Sequence, residues 1–332
     1  MSPPADRTVP GFSAADSSLM SIEHVGPLHP TSITLFSTLR KDDLLPRDVA
    51  VEMLPWLSTP PKEATTVKEQ YDSLFRPGVF GAMRQYFAMS LAISQDVTPA
   101  GATESLSQVS VGVRTFVLGG KSNSRLEGLV EEFTKASAEL DAAAVKREPP
   151  DQTAEDRLAD LFLRTRTLRQ QIAEADKSRV GFLTEVGAAL VYEVPKHTLS
   201  QGRVGRHVVW VNPIYRVNRF PVDFAGIARY IDERWTHSRL IDSGGRVSAR
   251  RNGVHYSFEA LGRHRWVDEH TPGEDLNNAR LVTGITYGFN QQTQVNFAFG
   301  KNFKNDFSGG GSLLASFGLT IGLGETPLST DE

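Results

Sequence analysis

The chain contains no cysteine in its 332 residues. That excludes a disulfide framework, a cysteine metal site and a thiol nucleophile. It also lacks any apolar run of about eighteen residues, the length a membrane-spanning helix needs. Charge of one sign is not in excess: 36 Lys and Arg stand against 39 Asp and Glu. No basic footprint for nucleic acid results. The 8 histidines are scattered and never form the HExxH spacing of a zinc site. Gly309-Gly310-Gly311 precedes an alternating segment rather than a helical one, so it is no phosphate loop. No cofactor and no metal are expected.

What is present is alternation. It is clearest from Ala279 to Leu323. Leu281, Thr283, Ile285, Tyr287 and Phe289 fall on one face of a strand, with Arg280, Gly284, Thr286 and Gly288 on the other. After Asn290-Gln291-Gln292, Val295, Phe297 and Phe299 oppose Gln294, Asn296, Ala298 and Gly300. After the glycine-rich turn, Leu313, Ala315, Phe317, Leu319, Ile321 and Leu323 oppose Ser316, Gly318, Thr320 and Gly322. Side chains on a strand alternate between faces. Each segment therefore has one large apolar face and one small polar face.

The same signature recurs upstream. Phe80–Ser94 reads as one long strand, with Met83, Phe87, Met89, Leu91 and Ile93 opposite Arg84, Tyr86, Ala88, Ser90 and Ala92. Val109, Val111, Val113, Thr115 and Val117 then oppose Gln108, Ser110, Gly112, Arg114 and Phe116. From Val180, Phe182, Thr184, Val186, Ala188, Leu190 and Tyr192 oppose Gly181, Glu185, Gly187 and Ala189. Two further strands are expected around HVVWV and FAGIARYI, where Pro213 and Pro221 leave the facing ambiguous. Leu240–Trp266 is a hairpin turning at Asn252-Gly253, the strongest short hairpin signal. Its apolar face carries Ile241, Val247, Tyr256 and Phe258, with Asp242, Arg246, His255, Glu259 and Arg263 opposite.

One stretch breaks the period. Over 122–178, Leu126, Leu129, Val130, Phe133 and Leu140, and then Leu158, Leu161, Phe162, Leu168 and Ile172, follow helical spacing on either side of Pro149-Pro150. This predicts a helical hairpin, either a solvated insertion packed on itself or a docking arm.

Segments of about ten residues, apolar on one face and small and polar on the other, resemble those of bacterial outer-membrane β-barrel proteins. The resemblance covers roughly residues 80–324 and rests on pattern rather than on a sequence motif. It implies an all-β fold with a helical insert: an antiparallel transmembrane β-barrel of 10–12 strands, about twelve. About eleven strands are visible and such barrels have even counts. The remainder is either a strand hidden near Thr31–Leu39 or a non-membrane segment at Arg47–Leu54. The expected organisation is an N-terminal extension or plug over 1–47, the barrel over 48–324, and a tail over 325–332. The resemblance also implies an outer-membrane location and a lipid bilayer as partner. MSPPADRTVPGF has no basic or apolar stretch and is not a signal peptide; on the barrel reading it begins a mature chain.

The polar faces supply the lumen-lining candidates Arg84, Arg114, Glu185, Asp242, Arg246, His255, Glu259 and Arg263. The apolar faces supply the lipid-facing candidates Phe87, Leu91, Val111, Val113, Phe258, Ile285, Phe297, Phe299, Phe317 and Leu319. If the lumen is open, the arginines favour anionic solutes. His255, Ser257 and Glu259 share a face, but same-face neighbours on a strand lie roughly 6.6 Å apart, too far for a hydrogen-bonded triad. No enzyme activity is expected. The function expected is a passive pore for small hydrophilic solutes. The alternatives are an anchoring barrel whose helical hairpin docks a periplasmic partner through 122–178, and a soluble antiparallel β-protein.

Overall fold

A computed structural model describes residues 31–38, 48–55, 80, 83–84, 86–97, 106–121, 124–145, 152–176, 180–195, 199–217, 222–234, 237–251, 254–267, 277–289, 293–301, 303 and 313–323. The strands are β1 (Thr31–Thr38), β2 (Asp48–Met53), β3 (Ala88–Val97), β4 (Leu106–Lys121), β5 (Val180–Pro195), β6 (Arg203–Arg216), β7 (Val222–Glu233), β8 (Ser238–Arg251), β9 (Val254–Val267), β10 (Asn277–Gly288), β11 (Thr293–Lys301) and β12 (Leu313–Leu323). Each pairs antiparallel with its sequence neighbours, and β1 pairs with β12 from Thr31↔Leu323 to Thr38↔Ser316. The sheet closes into a 12-strand barrel.

β1 lies inside the stretch assigned to an N-terminal extension, so the barrel begins at Thr31 rather than at 48. Its inward Ser32 and Thr34 and outward Ile33 and Leu35 make too short an alternation to recognise locally. The pairing that fixes it is with β12, at the other end of the chain. Residues 1–30 and the tail 325–332 lie outside the described residues. The strand expected from Phe80 starts only at Ala88. Upstream of it β2 ends at Met53, opposite Met89, so a longer β3 would have β4 alone to pair with, and the backbone at Met83–Arg84 forms a helical turn.

Two helices, α1 (Ser124–Val145) and α2 (Gln152–Asp176), pack on one another, with Val130, Phe133, Ala136, Leu161 and Leu168 buried. β3 begins at Ala88 opposite Arg114, whereas β4 runs on to Lys121 beside β5. The β4–β5 ribbon thus rises past the barrel rim and carries the helical hairpin. Alternation of connections puts this hairpin on the same rim as the tight β8–β9 and β10–β11 turns and the outer ends of β1 and β12. We refer to it as the hairpin rim, and to the opposite end as the loop rim.

The two faces of the wall differ sharply. Outward lie Leu91, Val111, Leu190, Val209, Val211, Ile241, Val247, Leu281 and Ile285, all exposed. Aromatic rings band this surface at both ends: Phe182, Tyr215, Phe224, Tyr256 and Tyr287 towards the hairpin rim, and Tyr192, Tyr230, Trp266 and Phe299 towards the loop rim. Phe182 and Tyr192 on β5, and Tyr256 and Trp266 on β9, are each ten residues apart. At roughly 3.3 Å per residue and roughly 40° of tilt, that spans about 25 Å, the height of the apolar band of a transmembrane barrel. A water-soluble barrel of this shape would expose many isolated large apolar side chains with no gain. In lipid they lose nothing, and closure gives every strand a partner on each side within the wall.

The band makes a prediction. Phe297, whose ring meets Phe317 at 5.2 Å, faces outward, as does Leu319 opposite Val295. Phe297→Arg or Leu319→Arg should destabilise the folded barrel by about 2–4 kcal/mol near the bilayer midplane. Urea titration of vesicle-refolded protein measures it. Wild-type midpoints for both variants would be incompatible with a lipid-facing band.

Candidate functional site: the barrel interior

The interior is built by the residues that alternate with the apolar band, and it is not uniform around its circumference. On β10, β11, β12, β1 and β3 most of the described inward positions are small, Gly284, Thr286, Ala298, Ser316, Gly318, Thr320, Ser32, Thr34, Ser90 and Ala92 among them, with Arg280 and Gln294 the long polar side chains. The hydroxyls of Thr34 and Thr320 meet at 3.1 Å across the closing seam. On β4 to β10 the inward positions carry long charged side chains.

These charges repeat one arrangement. Asp242 on β8 sits between Arg229 on β7 and Arg263 on β9. Arg229 Nε donates to its Oδ2 at 2.9 Å, and Arg263 donates through Nε at 2.7 Å and Nη2 at 3.0 Å. Near the hairpin rim, Asp223 takes Arg216 Nε at 3.2 Å and Arg250 Nη2 at 3.0 Å. Near the loop rim, Glu233 lies 3.1 Å from Arg206 Nη2 and 3.6 Å from Arg265 Nη2, and accepts from the Ser238 hydroxyl at 3.0 Å. Each carboxylate is held by two guanidiniums, so each trio of side chains is positive. Arg246 and Arg280 add to the same arc beside Glu259, which lies opposite Arg246 in register and 3.8 Å from Arg280 Nε.

The opposite sign gathers on β2, β4 and β5. Arg114 forks onto Glu52 through Nε and Nη2, both at 2.9 Å, and reaches Glu185 through Nη1 at 2.9 Å. Here one guanidinium serves two carboxylates. Glu185 also accepts from Trp210 Nε1 at 3.2 Å and Asn212 Nδ2 at 3.0 Å. The indole of Trp210 lies across Gly187, where any Cβ would run into the ring. Glycine is what lets the indole lie flat there.

An apolar cluster crosses the network: Phe116, Leu183, Ile214, Ala225, Ile227 and Leu261 from the wall, Tyr86 from the segment before β3, and Phe303 from beyond β11. Tyr86 packs edge-on against Phe116 at 5.4 Å. Phe303 is folded inside, its ring 4.0 Å beneath the guanidinium of Arg263. The arrangement leaves little free space. Glu185, Asp242 and Glu259 are 0% exposed.

Of the charges read from the polar faces, Arg114, Glu185, Asp242, Arg246, His255, Glu259 and Arg263 are all buried within this interior. Arg84 is not: it lies in the helical turn before β3 and is exposed, because the strand that would have aimed it inward does not reach it. The outward residues Phe87, Leu91, Val111, Phe258, Ile285, Phe297 and Phe299 are exposed, and Val113, Phe317 and Leu319 partly so. The alternation alone did not resolve Arg206, Arg216, Asp223, Arg229 and Glu233. A register shift at Val191/Tyr192 and Pro213 within β6 hide the facing there. The signal that was available is the inward run Arg206, Val208, Trp210, Asn212, Ile214, Arg216. Glu52 falls opposite Val49, Val51 and Met53 in the short alternation of Arg47–Leu54, too brief to single it out, and Phe303 carried no local signal. His255, Ser257 and Glu259 lie on the inner face of β9, opposite Arg250, Ser248 and Arg246. Among the described residues no group of acidic or histidine side chains is placed to hold a metal.

No protein-family description matches the chain. No curated protein matches it either. Among solved structures, an outer-membrane NanC porin superposes with a TM-score of 0.41 at 6% identity, over 89% of this chain and 100% of that one. A KdgM porin in complex with disordered oligogalacturonate gives 0.41 at 8%, over 88% and 99%. LpxR from Salmonella typhimurium gives 0.39 at 7%, over 88% and 99%. Likeness at this level is one of barrel outline and says nothing of solute or chemistry.

The Asp242 site predicts its own test. Asp242→Asn removes the charge between two buried guanidiniums while keeping the volume. Leaving a buried charge uncompensated costs about 3–5 kcal/mol, so the urea midpoint of the micelle-folded barrel should fall accordingly. A loss below about 1 kcal/mol, the range of exposed ion pairs, would mean that this network does not hold the wall.

Proposed function

We propose that the chain is a bacterial outer-membrane barrel that passes small hydrophilic solutes, with anions favoured. The observation that carries the reading is the division of the interior. A cationic arc on β6 to β10 faces an arc of mostly small, uncharged residues on β11, β12, β1 and β3, which the carboxylates of Asp48 and Glu52 on β2 interrupt. Opposite backbones of a 12-strand barrel are roughly 24 Å apart, and on this reading a small solute passes between the long side chains of one arc and the short side chains of the other. Two arginines of the carboxylate trios retain exposure and stand at the two ends: Arg250 at the hairpin rim and Arg265 at the loop rim, with side chains 21% and 20% exposed. A solute entering from either end therefore meets positive charge before it meets the buried carboxylates, the logic of charged rings in pores.

Planar-bilayer recording tests this. The wild type should give small, anion-preferring conductance. Reversing the end charges with Arg250→Glu and Arg265→Glu together should move the reversal potential towards cation preference. Phe303→Ala removes the ring that stacks beneath Arg263 and should raise single-channel conductance. A folded barrel with no conductance in either form would sink the pore reading.

A second reading is favoured by the fully buried central carboxylates and by the helical hairpin raised on the β4–β5 ribbon: a sealed anchor that docks a partner. Short turns mark the periplasmic side of bacterial barrels. The two-residue β8–β9 turn, which joins Arg251 to Val254, therefore assigns the hairpin rim, and α1–α2 with it, to the periplasm. An epitope inserted at Pro149-Pro150 should bind antibody only after permeabilisation. Staining of intact cells would reverse the orientation.

A further inference from the structure

The helical hairpin buries one side of α2 against α1 and leaves Phe162 and Leu163 59% and 63% exposed. Large apolar side chains so exposed on a helix of otherwise charged surface mark a contact left open. The residues around Leu163 say what fits it. Three residues before it stands Asp160 and three after it Arg166; four before it stands Ala159 and four after it Thr167, all exposed. On a helix these are the positions that ring a central residue. The Thr167 hydroxyl already donates to the Leu163 carbonyl at 2.8 Å, so Thr167 makes no polar demand on a partner and offers its methyl group.

The pattern is antisymmetric about Leu163: acid before, base after, a small residue on each flank. An antiparallel copy of the same helix, crossing at Leu163, places Asp160 against the other copy's Arg166 twice over. It also seats each Leu163 beside the small residues of its mate. We infer that α2 is a homotypic contact and that its occupant is α2 of a second copy of this chain. Self-complementarity about one point is the signature of an isologous two-fold interface. The patch is too small to hold a dimer in solution. Two barrels confined to one membrane meet at high effective concentration, which makes a weak contact sufficient. In that setting the two-fold axis lies along the membrane normal, and the antiparallel pairing requires the two α2 helices to cross it.

The chain has no native cysteine, so a single introduced thiol reports only contact between copies. Helices packed at roughly 8–10 Å bring positions on the two-fold axis within disulfide range. Oxidation of the full-length Leu163→Cys protein in membranes should give a disulfide-linked dimer, and Lys135→Cys, exposed on α1, should not. Arg166→Asp in the Leu163→Cys background should lower dimer yield roughly tenfold, as two attractive pairs become repulsive. The swap Asp160→Arg with Arg166→Asp should restore it. Heat-shifted migration on gels confirms that each barrel is folded. Equal yields from Leu163→Cys and Lys135→Cys would mean random collision and overturn the inference, as would failure of the charge swap to restore the dimer. Neither result bears on conductance, so the pore reading stands or falls separately.

Discussion

The structure depends on one pairing, β1 with β12. Inside a bilayer no water is available to satisfy a strand edge, and each open N–H or C=O costs several kcal/mol. Eight register pairs from Thr31↔Leu323 to Thr38↔Ser316 remove the last two edges at once. Every other feature follows from closure. The apolar face has one exterior to line, the polar face has one interior to fill, and the termini of the barrel share a rim. Among its described residues the seam is joined by backbone bonds and the Thr34–Thr320 hydroxyl contact. Its described inward residues, Ser32, Thr34, Ser316, Gly318 and Thr320, are small, where the opposite wall projects long side chains.

Closure then creates an electrostatic problem that the interior solves by sharing. Isolated charges in a dry interior are costly, and a buried pair gains net stability only when its hydrogen bonds are complete. Among the described residues most of the buried ionic contacts are shared rather than simple pairs. Asp223, Glu233 and Asp242 each bridge two arginines, and Arg114 bridges Glu52 and Glu185. The bridges tie β2 to β4 to β5 and β6 to β9, so they brace neighbouring strands across the interior. Because carboxylates are bridged by arginines on one arc and an arginine by carboxylates on the other, the sharing that braces the wall also polarises it. Structural and conductive readings of the interior thus draw on the same side chains.

The helical hairpin is a separate physical unit. It keeps its apolar residues for itself, apart from Phe162 and Leu163, and the ribbon of β4 and β5 carries it beyond the rim. A wall of uniform strand length would give it no such stalk. The segment before β3 turns inward at the same rim, where Tyr86 packs on Phe116 and the Thr115 hydroxyl donates to the Met83 carbonyl.

The sequence by itself determined the wall. Alternation of large apolar and small polar residues follows from strand geometry, and it is local, so β8 to β12 and the faces of β3, β4 and β5 could be read from neighbours two residues apart. The change to helical spacing over 122–178 was legible for the same reason. What tertiary structure decided is whatever depends on partners far along the chain. β1 is a strand because β12 is there to close on it, and Arg84 is outside the wall because β3 begins only at Ala88, near where β2 ends. Inward charge was readable; its meaning was not. Whether Arg114 lines a pathway or braces one depends on Glu52, sixty-two residues away in sequence and 2.9 Å away in space. Ion pairing acts through distance, and only the closed barrel sets those distances.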